Sequence, residues 1–214
     1  DFEGIFTAMA GLSVCVRLLD PPMHEFLHPR KSQELDRVAR DVASDAGEKD
    51  VGKILARAER MREANPMLGM RGCRLGIQHP SVTAMQSRAI FEAAKACADK
   101  GIRVKPQIMV PLVATAAEFS HQANVIRDVY AEIFAGAEAV PFEIGGMVET
   151  PRAALVSDTL VRAGAQFLSL GTNDLTQMTF GFMQQVRLGC VWLGCVGLAL
   201  VGHCLYSEHP QPNH

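Results

Sequence analysis

The chain has 214 residues, 48% of them hydrophobic and 21% charged, which leaves room for a sizeable core and excludes a disordered polar segment. Its 21 Lys plus Arg nearly balance 23 Asp plus Glu, for a formal net charge of −2, so charge gives no reason to expect nucleic acid or an anionic membrane as partner. Six cysteines at no framework spacing fit a soluble, intracellular, reducing setting better than a disulfide scaffold. The opening Asp1-Phe2-Glu3-Gly4 reads as neither a signal nor a transit peptide, and the chain is expected to begin inside a longer protein.

In chain order, Ser13 to Leu19 (SVCVRLL) predicts a strand stopped by Asp20-Pro21-Pro22. Leu35, Val38, Ala39 and Val42, then Ile54, Leu55, Ala58 and Met61, recur at helical steps. Gly69 to Gly76 (GMRGCRLG) is short and glycine-bracketed and is expected to be a second strand or tight loop. Ser81 is the expected N-cap of a helix with Val82, Met85, Ala89, Ala93 and Ala96 on one face, ended by Gly101. Val104 to Leu112 predicts the next strand, and Thr115 the cap of a helix carrying Phe119, Val125, Val129 and Ile133. Phe142 to Val148 predicts a strand, Pro151 opens a helix that Gly164 stops, and Phe167 to Leu170 predicts a fifth strand.

Strands alternating with helices imply a parallel sheet covered by helices. Five such strands suit either an open doubly wound sheet or part of a (β/α)₈ barrel, whose complete form takes about 250 residues. The uncharged run Leu188 to Gly202 contains four glycines and is shorter than the roughly 20 residues of a membrane-spanning helix, so no membrane span is expected.

Polar residues collect where strands give way to loops: Arg17 and Asp20, Arg71 and Arg74, Glu149, then Asn173 and Asp174. In parallel α/β folds the carboxyl ends of the strands are where ligands bind. Glu149 and Asp174 are one βα unit apart, so two carboxylates on neighbouring loops can share a Mg²⁺ ion that keeps positions for substrate oxygens. Two arginines can clamp a phosphate or carboxylate, and Thr172 and Asn173 add neutral donors. Structural roles fit the same residues: Arg17 as a solvated loop residue, Glu149 as a dipole partner for the helix opened by Pro151, Asp174 as a helix N-cap. Cys190, Cys195, His203, Cys204 and His209 have irregular spacing and form no zinc signature. Cys73 reads as a small buried hydrophobe and Met61, Met67, Met70, Met85 and Met109 as core filler.

DFEGIFTAM (Asp1 to Met9), VRLLDPPMHEFL (Val16 to Leu27), NPMLGMRGCRLG (Asn65 to Gly76), MQSRAIFEAA (Met85 to Ala94), IMVPLV (Ile108 to Val113), MVETPRAAL (Met147 to Leu155) and LGTNDLTQMTFGF (Leu170 to Phe182) together resemble the C-terminal phosphoenolpyruvate/pyruvate-binding domain of the pyruvate, phosphate dikinase family. Phosphoenolpyruvate synthases and the sugar-transport phosphotransferase enzyme I share the general plan and form the alternative family. The resemblance implies a partial (β/α)₈ TIM barrel of about five βα units over residues 1–182, without the first and last strands. It implies that Arg17 and Arg71 hold the phosphate and carboxylate of phosphoenolpyruvate, that Glu149 and Asp174 bind Mg²⁺, and that Gly171, Thr172 and Asn173 line the substrate. It further implies a phosphohistidine domain as partner in the parent protein, a homodimer, and a place in the cytoplasm or plastid stroma.

The family pattern has GHRGCR or GFRGCR where this chain has Met70, and an aliphatic residue where this chain has Thr150. From Met183 the resemblance stops, so residues 183–214 are expected to be a divergent tail. The family's acid/base cysteine falls in a segment this chain does not resemble, and no catalytic residue is assigned here. The expected function is therefore a fragment of the dikinase carrying the substrate and Mg²⁺ site, inactive alone. A non-catalytic module that binds substrate weakly or pairs with full-length subunits is the alternative.

Overall fold

The computed structural model describes residues 1–20, 22, 33–60 and 68–181. The run Leu188 to Gly202, the tail from Met183 and the cysteines and histidines within it lie outside the described residues. Two compact units form, one from Asp1–Asp20 together with the chain from Gly72 onward, the other Pro21–Arg71.

The larger unit is built on four strands, β1 (Ser13–Arg17), β2 (Lys105–Val110), β3 (Glu143–Val148) and β4 (Phe167–Leu170), all parallel and in the order β1-β2-β3-β4. Sequential order is what successive βα crossovers between neighbouring strands produce, and it sets all four carboxyl ends along one rim of the sheet. Strand alternation decides which face is covered: Ile108, Val110, Ile144 and Val148 are buried and join the core with Ile90, Phe91, Phe119, Ala123 and Ile126. Phe91 meets Tyr130 and Phe142 edge to face beside that core, with ring centroids 5.2 Å (Phe91–Tyr130) and 5.0 Å (Phe91–Phe142) apart.

In this unit α1 (Phe2–Ala8) precedes β1, and the β1–β2 crossover carries α4 (Gly72–Gln78) and α5 (Pro80–Asp99). The helix α6 (Ala116–Ile133) links β2 to β3. Next, α7 (Pro151–Leu155) and α8 (Ser157–Arg162) link β3 to β4, and α9 (Thr172–Phe180) follows β4. Thr115 caps α6 with a capping box: its hydroxyl accepts from Glu118 N at 3.2 Å, while the Glu118 carboxylate accepts from Thr115 N at 2.8 Å. Gly164 ends the β3–β4 crossover in the left-handed conformation, at φ 97°.

Several expectations are corrected. Gly69 to Gly76 is not a second strand. From Gly72 the chain is helical, so the sheet has four strands among the described residues rather than five. Helix α5 starts at Pro80 with His79 as N-cap, because Pro favours the first helical position, and Ser81 lies inside it. Its buried residues are Thr83, Ser87, Ile90, Phe91, Ala93, Ala94 and Cys97, so Ala93 of the expected face is in the core while Met85 is exposed. The helix opened by Pro151 is interrupted at Val156, which leaves the helical region at φ −120° and ψ 26°.

The smaller unit is a helical pair, α2 (Gln33–Asp45) and α3 (Val51–Arg60), packed on each other. Its α2 buries Ala39 and Ala43, while Val38 and Val42 are exposed. No described helix is long and apolar enough to cross a membrane.

Candidate functional site

Three carboxylates meet at the rim formed by the strand carboxyl ends. Asp20 follows β1, Glu149 follows β3 and Asp174 lies in the first turn of α9, and one oxygen from each lies within 4.8 Å of the others. Asp20 and Glu149 are both 2% exposed. Glu149 and Asp174, paired on sequence grounds, are thus neighbours in space. Asp20, read from sequence as a strand stop, is the third member.

The two buried carboxylates, Asp20 and Glu149, are closely enclosed by the chain around them. Glu149 Oε1 accepts a hydrogen bond from Leu112 N at 2.6 Å. Gly171 is tied to the end of β3 by its N–H on Val148 O at 3.0 Å. A Cβ at Gly171 would stand 2.6 Å from both Glu149 Cβ and Oε2, so only glycine lets the β4–α9 turn lie against that carboxylate. On the other side, Gly72 adopts φ 55°, and a Cβ there would stand 2.8 Å from Asp20 Oδ1 and from Leu112 Cβ. Gln86 of α5 fixes the chain after β1, donating to Arg17 O at 3.2 Å and accepting from Leu19 N at 2.7 Å.

Arg17 Nη1 lies 3.5 Å from Asp20 Oδ2, and the arginine side chain is half exposed. Its pairing contributes little stability and leaves guanidinium surface facing solvent beside the cluster. Gly171 is the N-cap of α9, with Thr172, Asn173 and Asp174 as its first three residues. Asp174 is therefore not the N-cap but sits where the helix dipole favours negative charge. Thr150 caps α7: its hydroxyl accepts from Ala153 N at 3.1 Å and donates to Val113 O at 3.2 Å. Arg71 ends the smaller unit, where its N–H donates to Gly69 O at 3.1 Å; it precedes α4 rather than sitting on a strand, and Arg74 lies within α4.

Cys73 is buried, as expected, but it also has a polar role. Its thiol donates to Leu112 O at 3.2 Å. Burial, with the nearby carboxylates of Glu118, Asp20 and Glu149, pushes this thiol up to about 12, so it is a protonated donor under ordinary conditions.

Three carboxylates so close repel one another unless a cation intervenes. An all-oxygen donor set at one strand rim, two members of it buried, fits a hard divalent ion such as Mg²⁺ and does not suit a soft, thiolate-seeking metal.

A parallel α/β unit with an acidic cluster at its strand carboxyl ends is the arrangement of α/β domains that take their ligand on that rim. The chain belongs to the PEP-utilising enzyme, PEP-binding domain family, which matches residues 1–186. It is 53% identical over 183 residues to pyruvate, phosphate dikinase 1, chloroplastic, of Arabidopsis thaliana, covering 85% of this chain and 18% of that protein. Pyruvate, phosphate dikinase 2 of Oryza sativa subsp. japonica is 52% identical and that of Zea mays 53%, each over 85% of this chain and 20% of the relative. The chain spans about a fifth of the length of the curated relatives it matches.

Proposed function

We propose that this chain supplies the phosphoenolpyruvate/pyruvate and metal site of a pyruvate, phosphate dikinase, which interconverts ATP, pyruvate and phosphate with AMP, phosphoenolpyruvate and diphosphate. The observation that carries the proposal is the convergence of Asp20, Glu149 and Asp174 within 4.8 Å, in a chain about half identical to such dikinases. Glu149 and Asp174 are the proposed Mg²⁺ ligands, with Asp20 completing the acidic wall. When bound, the ion supplies a positive charge to anionic substrate oxygens.

The remaining residues orient the substrate. Arg17 and Arg71 act as guanidinium donors to its phosphate and carboxylate. Gly171, Thr172 and Asn173 line it at the N-terminus of α9, where orphan N–H groups and the dipole favour an anion. Leu112 N–H holds Glu149 in one orientation. Residues 1–182 are proposed as part of a (β/α)₈ barrel, with residues 183–214 as a divergent tail. The phosphoryl group would come from a phosphohistidine on another domain, so the chain alone is expected to be inactive in the full reaction. A homodimeric parent is part of the proposal, and a plastid setting is supported by relatives named chloroplastic.

Mn²⁺ is the paramagnetic probe for the site. Titration of the whole chain should show one bound ion, with Glu149→Gln and Asp174→Asn each weakening it at least about tenfold. Unchanged Mn²⁺ affinity in both variants would overturn the ligand assignment.

A further inference from the structure

After β2 the chain passes the carboxylate cluster through Pro111, Leu112 and Val113. Leu112 is the one non-glycine among the described residues with a positive φ, 59°, a conformation sterics disfavour for a leucine. It is fully buried, so neither solvent nor an exposed turn accounts for it. The peptides on its two sides have separate anchors. The peptide before Leu112 receives Cys73 N–H on Pro111 O at 3.1 Å and sends Leu112 N–H to Glu149 Oε1 at 2.6 Å. The peptide after it receives the Cys73 thiol on Leu112 O at 3.2 Å. Cys73 therefore grips both planes whose relative rotation is the backbone conformation of Leu112. Gly72, lacking a Cβ, lets this turn of α4 approach Leu112 Cβ and Asp20 closely.

We propose that Cys73 is a positioning residue for the metal site, holding Leu112 left-handed so that its N–H aims the Glu149 carboxylate at Asp20 and Asp174. The proposal rests on the metal reading above. Without the thiol, the second plane is released, Leu112 relaxes towards negative φ, and its N–H turns away from Glu149. Thr150, whose hydroxyl holds Val113 O, anchors the next residue of the same strap and is left intact by the substitution.

The test uses Mn²⁺ titration of the full chain, with Cys73→Ala, Cys73→Ser and Cys97→Ala. Cys97 is equally buried, but its thiol faces Glu3 O and Thr7 in α1. Cys73→Ala should weaken Mn²⁺ about tenfold, in the range for groups that orient metal ligands. The hydroxyl of Cys73→Ser should recover most of that loss, and Cys97→Ala should lower the melting temperature with no change in Mn²⁺ affinity. Amide hydrogen exchange over residues 108–116, without metal, should accelerate in Cys73→Ala alone. Wild-type Mn²⁺ affinity in Cys73→Ala, or an equal loss in Cys97→Ala, overturns the positioning role and leaves the metal reading standing. Failure of the unsubstituted chain to take up Mn²⁺ overturns the metal reading; unchanged exchange at Leu112 in Cys73→Ala then refutes the strap as well.

Discussion

Replacing Gly171 by alanine tests the packing at the rim most directly. The new methyl would stand 2.6 Å from Glu149 Cβ and 3.0 Å from Met147 Cε. Carbon atoms settle at about 3.5 Å or more, so something must retreat by roughly 1 Å. Met147 can swing its thioether aside. Glu149 Cβ cannot, because it is fixed to the end of β3, to which Gly171 is itself hydrogen-bonded through Val148 O. The backbone of Gly171, at φ −85° and ψ 75°, lies outside the left-handed region, so the cost is steric. Overpacking of this kind costs about 1–3 kcal/mol, or a melting temperature lower by about 2–12 °C in a chain of this size. The displaced carboxylate should also lose Mn²⁺ affinity by at least about tenfold. Gly145→Ala is the control: its methyl would meet the Phe167 ring and carbonyl at 2.5 Å, so it should destabilise at least as much and spare the affinity of the folded fraction. Should Gly171→Ala melt lower yet bind Mn²⁺ as tightly as the unsubstituted chain, the contact with Glu149 does not tune the site and the reasoning fails.

Two further outcomes are expected. The Cys73 thiol is raised from 9.0 to about 12 in the folded state, so its contribution to stability is complete below pH 9. Above that the unfolded chain releases the proton first, and stability falls by up to about 1.4 kcal/mol per pH unit until the folded thiol ionises. Urea midpoints at pH 8, 9.5 and 10.5 should therefore fall more steeply for the unsubstituted chain than for Cys73→Ser, and parallel slopes would refute the assignment. Thr115→Ala removes the capping box of α6 and should cost about 1 kcal/mol, read as a lower melting temperature with unchanged Mn²⁺ affinity. A loss of affinity would show that the cap reaches the carboxylates.

The strands were legible because each is a short apolar run punctuated by proline, glycine or a cap, and β2, β3 and β4 fall within one residue or two of their expected bounds. Gly69 to Gly76 was not legible: a short apolar run between glycines fits helix or strand equally, and what decides it is a tertiary fit, Gly72 folded against Asp20 and Leu112. The helix faces of α2 and α5 came out rotated: small residues, Ala39 and Ala43 in α2 and Thr83 and Ser87 in α5, take buried positions that an apolar pattern gives to Val38, Val42 and Met85, while Ile90 and Phe91 of α5 share the interior with them. At the site, Glu149 and Asp174 could be paired from the rule that ligands gather at strand carboxyl ends. Asp20 obeys the same rule, but the two prolines after it gave its position a sufficient local explanation. Leu112 left no trace in sequence, because its strain exists only once Cys73 and Glu149 have closed around it.

The three carboxylates belong to positions 20, 149 and 174 and share no local segment. They come together only through three successive parallel pairings, Arg17 with Met109, Val110 with Gly146, and Val148 with Leu170. A slip of two residues in any of these keeps every side chain on its proper face and preserves the helices, but it shifts one strand end by about 6.6 Å, more than the 4.8 Å that spans the cluster. Cation uptake at the proposed site would therefore report the threading of the sheet, distinguishing the native alignment from a slipped one that a helix-content measurement would pass as folded.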